Sequence, residues 1–405
     1  MNDSTFITRV MLRNYKSIAN CDVKLGPLTF LVGQNGSGKS NFLNALRFVA
    51  ESLNSTMDLA LRDRGGIKSV RRHSTGHPTH FAVRLEFRLH DGTQGHYAFQ
   101  VGAKAAAGYE VQKEECRIVT PAALEPSPHY SVEGGKVVNS SIKDPPAAAS
   151  DRLYLVSVSG RPEFRLLYDL LSRMGFYNLN PEQIREPQSP DEGRLLLRDG
   201  SNLASVLGRL QSQGQVRERL EAFLAKVVPG VKGVERRQWG AKETLEFIQE
   251  VEGSRNPWRF PALNMSDGTL RALGILAALF QGLSDPARRV PLVGIEEPEA
   301  ALHPAAAGVL RDALVEASSQ VQVLVTSHSP DLLDDKEVRA DQLLAVRSRH
   351  GVTQIAPTDE AGRSAIRDRL YTPGELLRMN QLEPDPDELR RARAGQGELF
   401  GEDGP

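Results

Sequence analysis

Eight residues near the amino terminus have the types and spacing to hold a phosphate. Gly33-Gln34-Asn35-Gly36-Ser37-Gly38-Lys39-Ser40 fits G-x-x-x-x-G-K-[ST] throughout, and it sits between the apolar run PLTFLVG and a helical pattern from Asn41 to Leu53. That strand-loop-helix context gives the motif its chemical meaning. Gly33, Gly36 and Gly38 let backbone N–H groups curl around an anion, and the positive end of the following helix adds attraction. Lys39 brings charge to the β- and γ-phosphates of a nucleotide and Ser40 offers a hydroxyl to Mg2+, while Gln34, Asn35, Ser37 and Asn41 complete the cradle. A second group is acidic. The run VPLVGI ends in Glu296-Glu297-Pro298-Glu299, which stands carboxylates at the end of a buried strand, where open α/β sheets bind ligands. Glu296 suits the metal's shell, and Glu297 suits a base that takes a proton from attacking water.

Two further segments say little alone. LNMSDGTL opens an apolar helix with Ser266 at its N-cap, and VLVTSHSP ends a strand in a small-residue loop containing His328. The elements that must position all four segments form an α/β pattern. Short strands flank the phosphate motif. Phe81, Val83, Leu85, Phe87 and Leu89 alternate with polar residues or alanine, and Tyr97, Phe99 and Val101 repeat the pattern after Asp91-Gly92, which predicts a hairpin and then an antiparallel meander over 80–140. LYLVSVS reads as a buried strand, and 161–230 as a helical insert. Strand signals return at 231–251, and from Ser266 helices and strands alternate as in a parallel sheet covered by helices. The expected organisation is thus 1–160 as the first part of the core with an antiparallel β subdomain, 161–230 as the insert, 231–350 as the second part of the core, and 351–405 as an extension whose tail from about Glu383 is mobile.

Taken in this order, the four segments resemble those of the ATP-binding-cassette ATPases, and within them the RecF, SMC and OLD-like branch. VMLRNYKSIANCDVKLGPLTFLVGQNGSGKSNFLNAL is similar to that branch's first strands and Walker A, MSDGTLRAL to its signature, IEEPEAALHP to its Walker B and D-loop, and VTSHSP to its switch histidine. The resemblance implies a P-loop NTPase of the ABC head type that binds ATP and Mg2+. It also implies a homodimer with ATP sandwiched between one subunit's P-loop and the other's signature helix. Ser266 and Gly268 would then reach the γ-phosphate across the interface, and His328 would position the attacking water. Asp267 and His303 depart from the family pattern, where glycine and aspartate are common, and the Q-loop glutamine has no assigned position. Those departures motivate a rival reading, an ATP-bound scaffold that does not hydrolyse.

Composition bounds the setting. Fifty Lys+Arg against 51 Asp+Glu give a formal net charge of −1, so no overall basic surface grips nucleic acid. No apolar run approaches a membrane span, the amino terminus lacks a signal-peptide pattern, and two cysteines suit a reducing cytoplasm. No heptad run suggests long coiled-coil arms, and no Asp-x-Asp nuclease pattern follows His328, so a separately encoded effector is expected. The task expected is gating DNA transactions or that effector, in repair or in anti-phage defence. Arg62, Arg64, Lys68, Arg71 and Arg72 form the candidate DNA patch. Gln396, Leu399 and Phe400 resemble short peptides that dock on bacterial sliding clamps.

Overall fold

In the computed structural model the strand Leu28–Val32 is buried at every position, because it lies inside a sheet covered on both faces. Phe30 and Val32 belong to one core and Leu31 to the other. The structure describes residues 5–400 apart from 75, 77, 106–107, 122–126, 212–213, 283–289 and 396–398.

Among the described residues the main sheet has thirteen strands. Its parallel half runs Leu343–Arg349, Leu28–Val32, Gln322–Ser327, Leu292–Glu296 and Gly175–Tyr177. Parallel strands share a carboxyl edge, so the loops after Val32, Ser327, Glu296 and Tyr177 open on one side, as a ligand site requires. Val352–Pro357 turns back against Leu343–Arg349 and meets Ile18–Lys24. The antiparallel half then continues outward through Ile7–Tyr15, His80–Arg88, Gln94–Ala103, Tyr109–Val119, His129–Glu133 and Lys136–Ser140. The α/β architecture expected from the motifs is present, with the antiparallel strands extending the parallel sheet.

The helix Lys39–Asn54, which carries the end of the phosphate motif, is seated on this meander by aromatic packing. Phe48 meets Phe81 edge-on at 5.4 Å between ring centroids, and Tyr15 meets Phe81 at 5.6 Å. Each fully buried ring contributes roughly 1.5–3 kcal/mol. On the other side, helix Asp267–Phe280 is buried from Thr269 to Phe280 and packs against helices Gly214–Val227 and Pro304–Ser318. A small antiparallel sheet, Val231–Trp239, Lys242–Gln249 and Trp258–Pro261, precedes it.

Three expectations are revised. LYLVSVS forms the helix Tyr154–Val158, not a strand, because the buried Glu114 carboxylate accepts from the N–H groups of Tyr154 and Leu155 (2.9 Å to the latter) and so caps a first helical turn. The 161–230 segment contains the helices Pro162–Ser172, Pro181–Arg185, Leu203–Leu210 and Gly214–Val227, but also the strand Gly175–Tyr177, which pairs with Leu292–Glu296. Beyond Glu383 the chain folds back as helix Pro386–Ala394, capped by Asp385, whose carboxylate also pairs with Arg363 at 2.7 Å. Both cysteines, Cys21 and Cys116, are buried and unpaired. Among the described residues no helix is long and apolar enough to cross a membrane.

Candidate functional site

The phosphate loop is braced from strands far away in sequence. Gly38 has φ 103°, a left-handed conformation that glycine adopts readily, and a Cβ there would lie 2.0 Å from Thr353 Oγ1. Thr353 uses that closeness: its hydroxyl donates to the Ser37 carbonyl at 2.9 Å and lies 2.7 Å from Ser17 Oγ, which accepts from Asn41 Nδ2 at 2.7 Å. The Asn41 amide therefore anchors the loop from behind. Lys39 Nζ donates to the carbonyls of Gly33 at 2.8 Å and Gln34 at 3.0 Å. Burial pushes its pKa below the usual lysine value, and the carboxylates of Glu297 and Glu299 partly restore it. Gln34 donates to Asn380 Oδ1 at 3.0 Å, which ties the loop to the carboxyl-terminal extension.

Glu296 and Glu297 follow their strand onto the same edge. Glu297 has φ 45°, a strained value for a side-chain-bearing residue that is tolerated where surroundings fix it, often at functional sites. Its Oε1 lies 3.3 Å from His328 Nδ1. Glu299, given no role by the sequence reading, fastens the histidine's loop: its Oε1 accepts from Ser327 Oγ at 2.7 Å and from the N–H groups of His328 and Ser329 at 3.2 Å. Glu296 is paired with Arg198 at 3.0 Å. The register Ile295 to Tyr177 sets Asn178, exposed at the end of the edge strand, level with Glu296. The cradle fits a magnesium nucleotide on its own chemistry. Among the described residues Ser37 Oγ is enclosed without a hydrogen-bond partner, and helix Lys39–Asn54 starts at Gly38 with no side chain capping its N–H groups.

The signature segment starts where expected. Ser266 caps helix Asp267–Phe280, with its hydroxyl accepting from Thr269 N at 3.2 Å, and Gly268 is so close to the Ala301 carbonyl that a Cβ would sit 2.5 Å from it. Gly268 thus lies against the turn that follows the acidic residues of its own chain. Asp267 pairs with Arg185 from the insert. His303 caps helix Pro304–Ser318 through Nδ1, which accepts from Ala305 N at 3.2 Å. One residue links helix Asp267–Phe280 to the acidic turn: buried Arg271 donates to the carbonyls of Leu179 (2.8 Å), Glu296 (3.1 Å) and Glu297 (3.0 Å). A lone arginine within an apolar helix was the signal in the sequence that could have marked it.

The two peripheral expectations fare differently from the site. Of the basic segment, Arg62 and Lys68 lie in the helices Met57–Arg62 and Ile67–Val70, with Arg64, Arg71 and Arg72 between and after them. Arg64 is committed internally, its side chain only 2% exposed, paired with Glu51 at 2.6 Å and stacked on Phe48. Arg71 donates to the Pro78 carbonyl at 2.5 Å and Arg62 pairs with Asp58, leaving Lys68 and Arg72 as the less engaged members. At the other end, Gln396 lies outside the described residues. Leu399 is buried against Met11 and Ala82 with its carbonyl accepting from Arg84 at 3.2 Å, and Phe400 lies under Lys113, so this apolar pair is engaged within the chain.

Comparison with known proteins agrees with the geometry. Residues 134–334 match the family model described as "AAA domain, putative AbiEii toxin, Type IV TA system", and residues 6–89 match "AAA ATPase domain". Over 120 residues, 27% of this chain, the sequence is 31% identical to Structural maintenance of chromosomes protein 1 of Schizosaccharomyces pombe, spanning 10% of that protein. It is 24% identical over 400 residues to the OLD nuclease of Thermus scotoductus, covering 91% of this chain and 68% of that one. By fold it is similar to an Smc head domain with an extended coiled coil bound to the C-terminal domain of ScpA, from Pyrococcus furiosus (TM-score 0.54, 12% identity, 90% of this chain and 99% of that one). It is also similar to an SmcHead bound to the C-winged helix domain of ScpA (TM-score 0.51, 17% identity, 87% and 97%). Sequence likeness over nearly the whole chain and likeness of fold converge on the resemblance carried by the motifs: this protein belongs to the ABC-type P-loop ATPases of the RecF, SMC and OLD type.

Proposed function

We propose that the chain hydrolyses ATP to ADP and phosphate as an ATP-sandwiched homodimer, and that this cycle gates a separately encoded effector or a DNA transaction. The observation that carries the reading is the meeting of Glu297 and His328 at 3.3 Å on the sheet edge that also holds Lys39. A base oriented by a neighbour beside a phosphate cradle is the arrangement that in-line attack by water requires. Glu297 takes the water's proton, His328 holds the water in line, and Lys39 and the loop's N–H groups fix the phosphates. Mg2+, held by Ser40 and Glu296, would neutralise charge developing on the transferred phosphoryl group. Arg198, which pairs with Glu296 here, must yield that carboxylate.

The non-hydrolysing scaffold reading drew its motive from Asp267 and His303. Arg185 supplies the cation that an extra carboxylate near phosphate needs, and His303 has a capping task of its own, which supports hydrolysis. For the downstream role, two of the similar SMC heads were solved bound to domains of ScpA, which favours a protein partner, and the toxin–antitoxin system named by the matching family favours defence over repair.

The test is steady-state ATP turnover of the purified protein beside Lys39→Ala and Glu297→Gln, with and without single-stranded and duplex DNA, and with light scattering. Both variants should lose turnover by about 100-fold or more, with ATP-dependent dimers accumulating in Glu297→Gln. Unchanged turnover in Glu297→Gln would sink the proposal and revive the scaffold.

A further inference from the structure

A cavity of about 660 Å3 opens at the amino end of the strand Leu343–Arg349, and no residue lines both it and the cavity beside the phosphate loop. Its volume falls within the range of small-ligand sites, roughly 300–1,000 Å3. Six cations line it, Lys24, Lys336, Arg339, Arg363, Arg367 and Arg369, against the single acid Asp341. In a chain with a formal net charge of −1 this is a local concentration of one sign. Like charges gathered around one concavity repel, and an anion between them removes that cost.

Acids of the chain neutralise only part of this set. Arg339 pairs with Asp341, Arg363 with Glu360 and Asp385, and Arg367 with Glu360 and Asp368. Among the described residues no ion pair engages Lys24, Lys336 or Arg369. The floor is of another kind: Val338, Leu343 and Ile366 are buried there and offer carbon to a flat or apolar group. Guanidinium forks suit phosphate oxygens, and an apolar floor suits whatever the phosphate is attached to.

We propose that this cavity is a second anion site, separate from the phosphate loop, for a small phosphorylated ligand of nucleotide size. Its place in the fold connects it to the first site. Helix Glu360–Arg367 contributes Arg363 and Arg367, and the chain runs on through helix Pro373–Arg378 to Asn380, which accepts from Gln34 of the phosphate loop at 3.0 Å. On the way Thr372 and Arg378 bind Asp334 at 2.7 and 2.6 Å, in the segment that follows His328.

The experiment uses the full chain carrying Lys39→Ala, so that the phosphate loop is disabled, titrated calorimetrically with AMP, pyrophosphate and inorganic phosphate. The same protein with Lys336→Ala and Arg369→Ala added is titrated alongside. The expected result is saturable binding of AMP or pyrophosphate that the two added changes weaken at least tenfold. Equal affinity in both proteins, or no saturable binding of any of the three probes, overturns the proposal. Melting followed by circular dichroism checks the fold, and Lys336→Glu on the Lys39→Ala background reports the charge effect by a separate route should the added alanines lower the melting temperature.

Discussion

Asp267 shows how a single departure from a family pattern is absorbed. An extra carboxylate at the amino end of a helix weakens the attraction of the N-terminal dipole for another anion only if it is left unpaired. Arg185 pairs with it and also donates to the Met265 carbonyl at 3.2 Å, so the insert carries the compensating charge. The prediction is a coupled pair. Arg185→Ala should lower ATP turnover several-fold by exposing the carboxylate, and Asp267→Gly in the same protein should restore most of it. Steady-state turnover of the two single variants and the double variant gives the coupling; additive losses would show that the pair is independent of the nucleotide. Thr353 supports a second prediction. Thr353→Val keeps the shape but removes the donor to the Ser37 carbonyl, so the Michaelis constant for ATP should rise several-fold while the melting temperature changes little. An unaltered Michaelis constant would show that the loop holds its shape without this brace.

Among the elements, the helix Tyr154–Val158 exists because of one buried carboxyl. Glu114 accepts from Tyr97 Oη at 3.1 Å, Tyr130 Oη at 2.8 Å and Leu155 N at 2.9 Å, as well as from Tyr154 N. Burial pushes its pKa up to about 7, although all four donors act in the opposite direction. The sign follows from linkage. Between the ordinary carboxyl value near 4.5 and about 7 the folded chain binds the proton that the unfolded chain has released, so this group's contribution to stability is full below the window and is lost as pH rises through it. The melting advantage of wild type over Glu114→Gln should therefore be larger at pH 5 than at pH 8. A difference constant across that range would show that Glu114 is ionised throughout.

The same helix shows why some elements were not legible in the sequence. LYLVSVS is short, apolar and bounded by turn residues, so its pattern fits a strand or a helix equally, and a glutamate forty residues away decides between them. The strand Gly175–Tyr177 is too short to show a period and is defined only by its neighbour. The helix Pro386–Ala394 lies in a charged stretch with no buried residue of its own, and the salt bridge from Arg363 to its cap is not readable from composition. The segments that meet at the nucleotide edge were legible because phosphate and metal chemistry fix residue types at fixed spacing. Their braces Thr353 and Arg185 were not, because each reaches its target from another part of the chain, and Arg271, although inside one of those segments, bonds carbonyls that spacing does not reveal.

At the scale of the whole molecule the core is assembled from both ends of the chain, and Gln322 marks the joint. This residue is fully buried at the start of the strand that ends at Ser327. Its Oε1 accepts from the N–H groups of Phe6 at 3.2 Å and Ile7 at 2.9 Å, and its Nε2 donates to the carbonyls of Ile7 at 2.8 Å and Gly26 at 3.0 Å. One amide thus satisfies four backbone groups where the first strands meet the carboxyl-terminal half of the sheet. Gln322→Leu keeps similar bulk but leaves those groups buried without partners, at roughly 1–3 kcal/mol each before relaxation. Water entry and backbone adjustment would recover part of this, so the expected loss of unfolding free energy is about 3 kcal/mol. Urea denaturation provides the measurement. The midpoint should fall while the slope stays unchanged if the two halves unfold together. A broadened transition with a lower slope would mean that Gln322 is what makes them one cooperative unit. A loss below about 0.5 kcal/mol, within the range of an ordinary surface substitution, would rule it out as the pin between the halves.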